Sequence, residues 1–246
     1  MHEKRVLTRQ TENHSNESSR ISYVEEKIAE ILNSRADSNF LDLGAGLSPY
    51  RKFIETNGGK YFSQDFSSYV PNMEEYGLQN TDWAYPKHDY VCDITDFNPG
   101  VLFDNLICTE VLEHVADPIA VLRKISEVVK PNGRVIITVP LLSLVHQAPH
   151  FYSSGLSTFW FTKWVPTFGL QIDEIIVSGN FADLLDQEIS RGLAQLPRIY
   201  RNRISLAIKK LFILNIRRYA DLNVLQSGGF GIFIFATKLD FPLNSD

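Results

Sequence analysis

Residues 40–50 read FLDLGAGLSPY, placing an acid, Asp42, near the end of an apolar run and setting Gly44 and Gly46 on either side of Ala45. Glycine has no Cβ, so a turn built this way lets the backbone approach a ligand closely. Asp65 follows at the end of KYFSQD, about 20 residues past the glycines, where a carboxylate can accept from both hydroxyls of a ribose. Asp93 follows in YVCDI, where an acid can accept from an adenine amino group. His114, His146 and His150 are the candidates for proton transfer.

The turn alone leaves three readings open: a nicotinamide dinucleotide, S-adenosylmethionine, or a tight strand-to-helix turn with no ligand. The dinucleotide fingerprint is G-x-G-x-x-G/A, and here Pro49 stands where the last small residue belongs. Asp42 would do nothing useful for a pyrophosphate. A carboxylate suits a cationic group instead, and S-adenosylmethionine carries an ammonium and a sulfonium but no phosphate.

These residues need a scaffold that brings strand ends together, and the hydrophobic pattern supplies one. ISYVEEKIAEILNSR has helical spacing from residue 21. Strands are predicted at residues 39–43, in KYFSQD, YVCDI, FDNLICT and RVIITVP, then in LQIDEIIVS and GGFGIFIFATKL. Helical segments alternate with the early strands, one beginning near Pro49 and one running from about Pro118 to Val129, which implies parallel β-α-β units. Near-continuous apolar strands such as VIITV suit a sheet covered on both faces. KPNG reads as a turn, LLSLVHQAPHFYSSG as a long loop, and STFWFTKWVPTFG as an aromatic helix.

Composition sets the limits. The 246 residues suffice for one domain with elaborations, assigned to 21–246, behind a polar segment, 1–20, expected to lack order. A net charge of −5 argues against a nucleic-acid partner. Cys92 and Cys108 lie in apolar segments without a CxxC pair and read as free thiols. With no apolar run long enough to span a bilayer and no signal peptide in the polar N-terminus, a cytoplasmic location is expected.

FLDLGAGLSPY, YFSQD, YVCDI, DNLICTEVLEHVADP, VVKPNGRVIITVP and HQAPHFY occur in that order. Through them the chain resembles the class I S-adenosylmethionine-dependent methyltransferases, in particular the small-molecule branch called type 11. The resemblance covers roughly residues 38–180 and the last strand, and LEHVADP followed by KPNG is its most specific part. It implies a doubly wound, Rossmann-like α/β fold with a seven-stranded, mostly parallel sheet, the last strand antiparallel, and a helical insert before that strand. It implies S-adenosyl-L-methionine as cofactor. Asp42, Gly44, Ala45 and Gly46 would hold the methionine end, and Asp65 with Phe66 the ribose and adenine. Asp93 and Ile94 would contact adenine, and Thr109 and Glu110 would line the methyl-donor cleft. The chain departs from the pattern at Ser48, where a third glycine is common, and at Asn132 in KPNG, where KPGG is usual.

Methyl transfer is an in-line displacement at an activated carbon, so the protein mainly aligns the partners and excludes water. A base is needed only for a hydroxyl or a protonated amine. In similar sequences the HQAP segment borders the acceptor pocket, which makes His146 the candidate base or acceptor ligand; a histidine that only organises its loop is the plainer reading. His114 reads as packing between loop and helix. His146 and His150 could pair on a metal, but no third ligand stands nearby in sequence, so no metal is expected. The aromatic run of Phe159, Trp160, Phe161 and Trp164 reads as core that could also wall a pocket.

Residues 182–221 read as a helical insert. Within it Arg191, Arg198, Arg201, Arg203, Lys209, Lys210, Arg217 and Arg218 stand with no acid between 191 and 220. The insert is either a cap with a solvated basic face or an interfacial surface making peripheral membrane contact. The function expected is methylation of a small-molecule or glycan-type acceptor. The alternatives are a non-catalytic S-adenosylmethionine-binding or assembly subunit and, more distantly, a nicotinamide oxidoreductase.

Overall fold

In a strand, successive side chains point to opposite faces, and the parallel strands here bury both. On one face Leu41, Leu43, Leu106, Cys108, Val135 and Ile137 form a core with Val121, Leu122, Ile125, Phe161 and Val165 from helices. On the other, Phe40, Ile107, Ile136, Ile176 and Phe233 pack with Tyr23, Val24, Ile28, Ile31 and Ile54. Each fully buried aliphatic side chain contributes about 1.5–3 kcal/mol. The period-2 alternation puts Asp42 on the second face, beside Phe40 rather than Leu41.

The computed structural model describes residues 7–9, 16–72, 74, 76–78, 83–200 and 202–240. Its strands are β1 (Leu7–Arg9), β2 (Asn39–Leu43), β3 (Lys60–Asp65), β4 (Tyr90–Val91), β5 (Phe103–Thr109), β6 (Val129–Pro140), β7 (Leu170–Ser178) and β8 (Gly231–Lys238). Its helices are α1 (Asn16–Ser34), α2 (Arg51–Thr56), α3 (Pro118–Val128), α4 (Thr158–Thr167), α5 (Phe181–Gln195), α6 (Arg203–Tyr219) and α7 (Leu222–Gln226), with a 3-10 turn at Leu112–His114. The sheet order is β1-β7-β8-β6-β5-β2-β3-β4, and β8 runs antiparallel to both β6 and β7. The seven strands β2 to β8 are the sheet expected from the sequence. The chain runs outward from β2 to β4 and returns to β5 on the other side of β2. The strand order therefore reverses between β2 and β5, where open α/β sheets bind ligands.

The structure corrects three expectations. Residues 1–20 are not uniformly without structure: Leu7–Arg9 pair in parallel with Ile176–Ser178 at the sheet edge, and α1 begins at Asn16 rather than residue 21. Residues 1–6 and 10–15 of that segment lie outside the described residues, as does Arg201 of the insert. KPNG does not end before its strand. It is a bulge within β6, where the partner of β5 jumps from Val129 to Arg134, with Asn132 at φ 62°. The helical insert extends past residue 221, its last helix ending at Gln226.

The amino-terminal edge of the sheet is pinned by Asp104, at the start of β5. Its carboxylate accepts from the Asn39 N–H at 3.0 Å and pairs with Lys130 at 3.0 Å and Arg35 at 2.9 Å. Burial works against the charged form, but the Asn39 N–H, Lys130 and Arg35 outweigh it and hold the carboxyl below its usual range. Its contribution is therefore present above about pH 4, the ordinary carboxylate pKa, and is lost as pH falls through the lower folded value. Asp104→Ala leaves the part-buried Asn39 N–H without its carboxylate acceptor and should lower stability by about 2 kcal/mol in urea denaturation, with the m-value unchanged.

Candidate functional site

The carboxyl ends of β2, β3, β5 and β6 deliver the predicted residues to one edge. After β2, the Gly44 and Ala45 N–H groups both donate to the Gln64 carbonyl at 2.9 Å, and the Gly46 N–H donates to Asp65 Oδ2 at 2.8 Å. Gly44 has φ 73°, and a Cβ there would lie 2.5 Å from Val111 at the mouth of the β2/β5 crevice. Gly46 has φ 51°, and its Cβ would lie 3.2 Å from the Trp83 ring. Ser48, where the family pattern has glycine, also takes a positive φ, 55°. Glycine at that position thus answers a backbone requirement that serine meets at some cost.

Asp42 is 1 % exposed. Tyr61 donates its hydroxyl to Asp42 Oδ2 at 2.6 Å, while the buried Oδ1 has no partner among the described residues. Burial, above all, pushes the Asp42 pKa up to about 7; Asp65 adds to the rise, and the Tyr61 hydrogen bond and Arg51 oppose it. The folded chain therefore binds this proton more readily than the unfolded chain, and Asp42 costs stability as pH rises from about 4 toward 7. A cationic group beside it would favour the carboxylate and supply Oδ1 with a partner.

Asp65 is buried, its Oδ1 accepting the Ser67 N–H at 2.7 Å, and Phe66 meets His150 edge-on with ring centroids 5.0 Å apart. Ala45 is buried in the turn itself. Glu110, at φ 55°, accepts from Thr138 at 2.9 Å and pairs with Arg20 at 3.5 Å. Thr109 ends β5 beside Tyr50, whose phenol is raised by burial to about 12. Asp93 and Ile94 sit differently. Asp93 is exposed and accepts from the Thr95 N–H and hydroxyl at 2.8 and 2.6 Å, and Ile94 belongs to the core with Leu41 and Phe97. Neither is hydrogen-bonded to the glycine turn among the described residues.

His146 lies in the loop after β6. Its Nδ1 is 3.0 Å from the Leu144 carbonyl, which can only accept, so Nδ1 donates there; the Ser143 hydroxyl lies 3.3 Å from the same nitrogen. The His114 and His146 rings meet at 4.7 Å, and Phe151 packs on His146 at 4.9 Å. His114 is lowered to about 4, chiefly by burial, against the favourable bond it donates to the His150 carbonyl. Beside it, Glu113 is fully buried, and that burial raises its carboxyl well above the usual range.

Three features escaped the sequence reading. Arg20, from the first turns of α1, reaches Glu110 across the fold, and no local pattern could have announced it. Tyr69, Trp83 and Tyr85 form an edge-to-face ladder with centroids 5.8 and 5.6 Å apart, standing over Gly46. The density of large aromatics between β3 and β4, Phe66, Tyr69, Tyr76, Trp83 and Tyr85, was the available signal. That loop is also stapled to the His146 loop, Leu78 donating to Val145 O and accepting from the Gln147 N–H, both at 2.9 Å. Between the two loops lies a cavity of about 440 Å³ lined by Ser68, Tyr69, Val70, Pro71, Ala148 and His150, of a size suited to small ligands. The aromatic helix divides: Phe161 is core, Trp160 and Trp164 pack against it, and Phe159 is 82 % exposed.

The residues fit the cofactor on chemical grounds. The glycine turn lies beside a buried carboxylate oxygen that lacks a partner among the described residues. Asp42 would face the cationic methionine end, Arg20 its carboxylate, and Asp65 the ribose hydroxyls. The cofactor supplies a methyl group already activated by its sulfonium. The chain's part is to align that carbon with an acceptor and keep water out.

Comparison with known proteins agrees. The chain is 22 % identical over 157 residues to a ubiquinone biosynthesis O-methyltransferase of Xanthomonas euvesicatoria, a match covering 57 % of this chain and 65 % of that protein. A SAM-dependent methyltransferase from Archaeoglobus fulgidus superposes with a TM-score of 0.53 at 16 % identity, over 88 % of this chain and 94 % of that one. The [4+2]-cyclase SpnF superposes with a TM-score of 0.54 at 14 % identity, over 94 % and 86 %, so the fold is shared beyond methyl transfer. A family model described as a methyltransferase domain matches residues 17–169, more than half of the chain. On that match the chain belongs to the methyltransferase-domain family.

Proposed function

We propose that the chain transfers the methyl group to a hydroxyl of a small-molecule or glycan-type acceptor that enters beside His146. The observation that carries this is the junction of the two halves of the site. Asp65 and Phe66 hold the cofactor side, Phe66 touches His150, and the His150 carbonyl holds His114 against His146. With Nδ1 bonded to the Leu144 carbonyl, Nε2 is the ring nitrogen left to take a proton from a hydroxyl. The curated relative is named an O-methyltransferase, which supports oxygen as the atom methylated. Asp93 and Ile94 complete the proposed adenine end.

The insert supports presentation of the acceptor at a membrane surface. No helix among the described residues is long and apolar enough to cross a membrane. In α6, however, Ile204, Ile208 and Leu211 share one helical face and are 70 %, 63 % and 62 % exposed. Phe212 and Leu214 flank them, more than half exposed, and Ile213 alone of the helix is buried. Lys209 and Arg217 turn inward to Asp186 and Asp183 on α5, at 3.0 and 2.6 Å, which leaves Arg203, Lys210 and Arg218 exposed around the apolar stripe. An apolar stripe rimmed by cations fits an anionic lipid surface.

Three outcomes are expected. S-adenosylhomocysteine should raise the melting temperature by mass action, and Asp65→Ala should weaken that rise; no rise at saturating ligand would overturn the cofactor site. In a radiolabel assay with a hydroxylated acceptor, His146→Ala should lower kcat by about 100-fold while the S-adenosylhomocysteine shift persists. A shift without transfer to any acceptor would instead give the non-catalytic binding subunit. The chain should sediment with phosphatidylglycerol vesicles at low salt and less so at high salt. The Leu211→Glu/Leu214→Glu variant, altered only at exposed positions, should stay in the supernatant, and a wild-type chain that ignores the vesicles would remove the membrane reading.

A further inference from the structure

Glu113, His114 and His146 bring their donor atoms within 4.8 Å of one another, and no ion is present. Each histidine is arranged as metal ligands are, with one ring nitrogen bonded to a backbone carbonyl so that the other is the one left to coordinate. His114 does so through Nδ1 to His150, and His146 through Nδ1 to Leu144. His114 Nε2 then lies 3.7 Å from Glu113 Oε1. Glu113 is 0 % exposed, and neither of its carboxylate oxygens has a partner among the described residues. A buried carboxyl in that state costs folding free energy rather than supplying it. Its backbone is nonetheless held firmly, the Glu113 carbonyl accepting from Tyr152 at 2.8 Å and Ser153 at 3.2 Å. Arg20 acts on it electrostatically, but its ion pair is with Glu110.

We infer that Glu113, His114 and His146 form a binding site for one divalent transition-metal cation at the acceptor side of the cleft. Two imidazoles and one carboxylate are a donor set for zinc, cobalt or iron(II) rather than for magnesium or calcium, which prefer oxygen. Three protein ligands leave a coordination position open, as in catalytic rather than structural centres. Bonds of about 2.0–2.2 Å draw such ligands closer together than 4.8 Å. The closing rotation falls to His146, which is half-buried and held through one nitrogen. The sequence hid the site because His150, the spacing partner of His146, turns to Phe66, while the other two donors, Glu113 and His114, come from the turn after β5. That the open position takes the acceptor hydroxyl rests on the methyl-transfer reading. In that case His146 serves the hydroxyl through the cation, which lowers the hydroxyl pKa, instead of taking its proton directly.

The test is titration of the untagged, chelator-treated chain with Co²⁺, followed by its visible d–d absorption. One equivalent should give the spectrum of a site with nitrogen ligands, Zn²⁺ should abolish it, and Mg²⁺ should not. His146→Ala and Glu113→Gln should each weaken binding by about 100-fold or more. S-adenosylhomocysteine thermal shifts on the same variants report whether the fold and the cofactor site survive, so failure of the metal site is read separately from failure of the methyl-donor site. No Co²⁺ spectrum in wild type, or an equal one in His146→Ala, would overturn the inference.

Discussion

The hydrogen bond from the Gly46 N–H to the Asp65 carboxylate, 2.8 Å long, joins the turn after β2 to the end of β3. With the two N–H groups that Gly44 and Ala45 place on the Gln64 carbonyl, it fixes the turn against its neighbouring strand. The turn must pass so close that position 44 cannot carry a Cβ, since Val111 fills the space where the strand order reverses. Everything at the cofactor end inherits its position from this constraint. Asp42 is buried one residue pair upstream, Tyr61 reaches it from the adjacent strand, and Trp83 closes over Gly46.

What the sequence revealed and what it hid divide along one physical line. The bounds of β2, β3, β5 and β7 could be read from residue types, because each strand carries its own apolar pattern and its own terminator. The positions of the acids at 42 and 65 were legible for the same reason: they sit at strand ends that the pattern marks. The bulge at KPNG was half legible. Asn132 was expected to tolerate positive φ and does, but only pairing with β5 shows that the strand resumes at Arg134 after the bulge. Leu7–Arg9 could not be foreseen, since three residues have no period and owe their extended state to the open edge of β7. Arg20, Glu113 and the aromatic ladder are products of tertiary approach between segments far apart in the chain.

The fold does not choose the chemistry. A cyclase superposes on this chain about as well as a methyltransferase does. The difference must lie in side chains at the carboxyl edge, where this chain gathers a buried carboxyl with an unpartnered oxygen, an arginine from α1 and a pair of histidines meeting edge to face. Asp42 and Glu113 share a physical logic. Each is a buried acid whose unpartnered oxygen makes the folded chain less stable than a neutral isostere would, and such sites are where structures hold strain in reserve for a ligand. The two acids lie on opposite sides of the β2/β5 reversal, one preceding the glycine turn and the other following β5.

The insert extends the same geometry outward. Because β7 runs parallel to β1 and antiparallel to β8, as β6 does to β8, its carboxyl end lies on the same edge as those of β2, β3 and β5. The helices α5 to α7 leave from that end and return to the start of β8, so the exposed apolar stripe of α6 grows from the edge that carries the site. A helix packed only to cover the core would turn such residues inward. Here the inward contacts are made largely by Ile213 and by ion pairs to α5, and the apolar stripe is left outside. If the proposed lipid contact and acceptor entry share that edge, the path for an amphiphilic acceptor is short, since it need not leave its membrane entirely to reach His146.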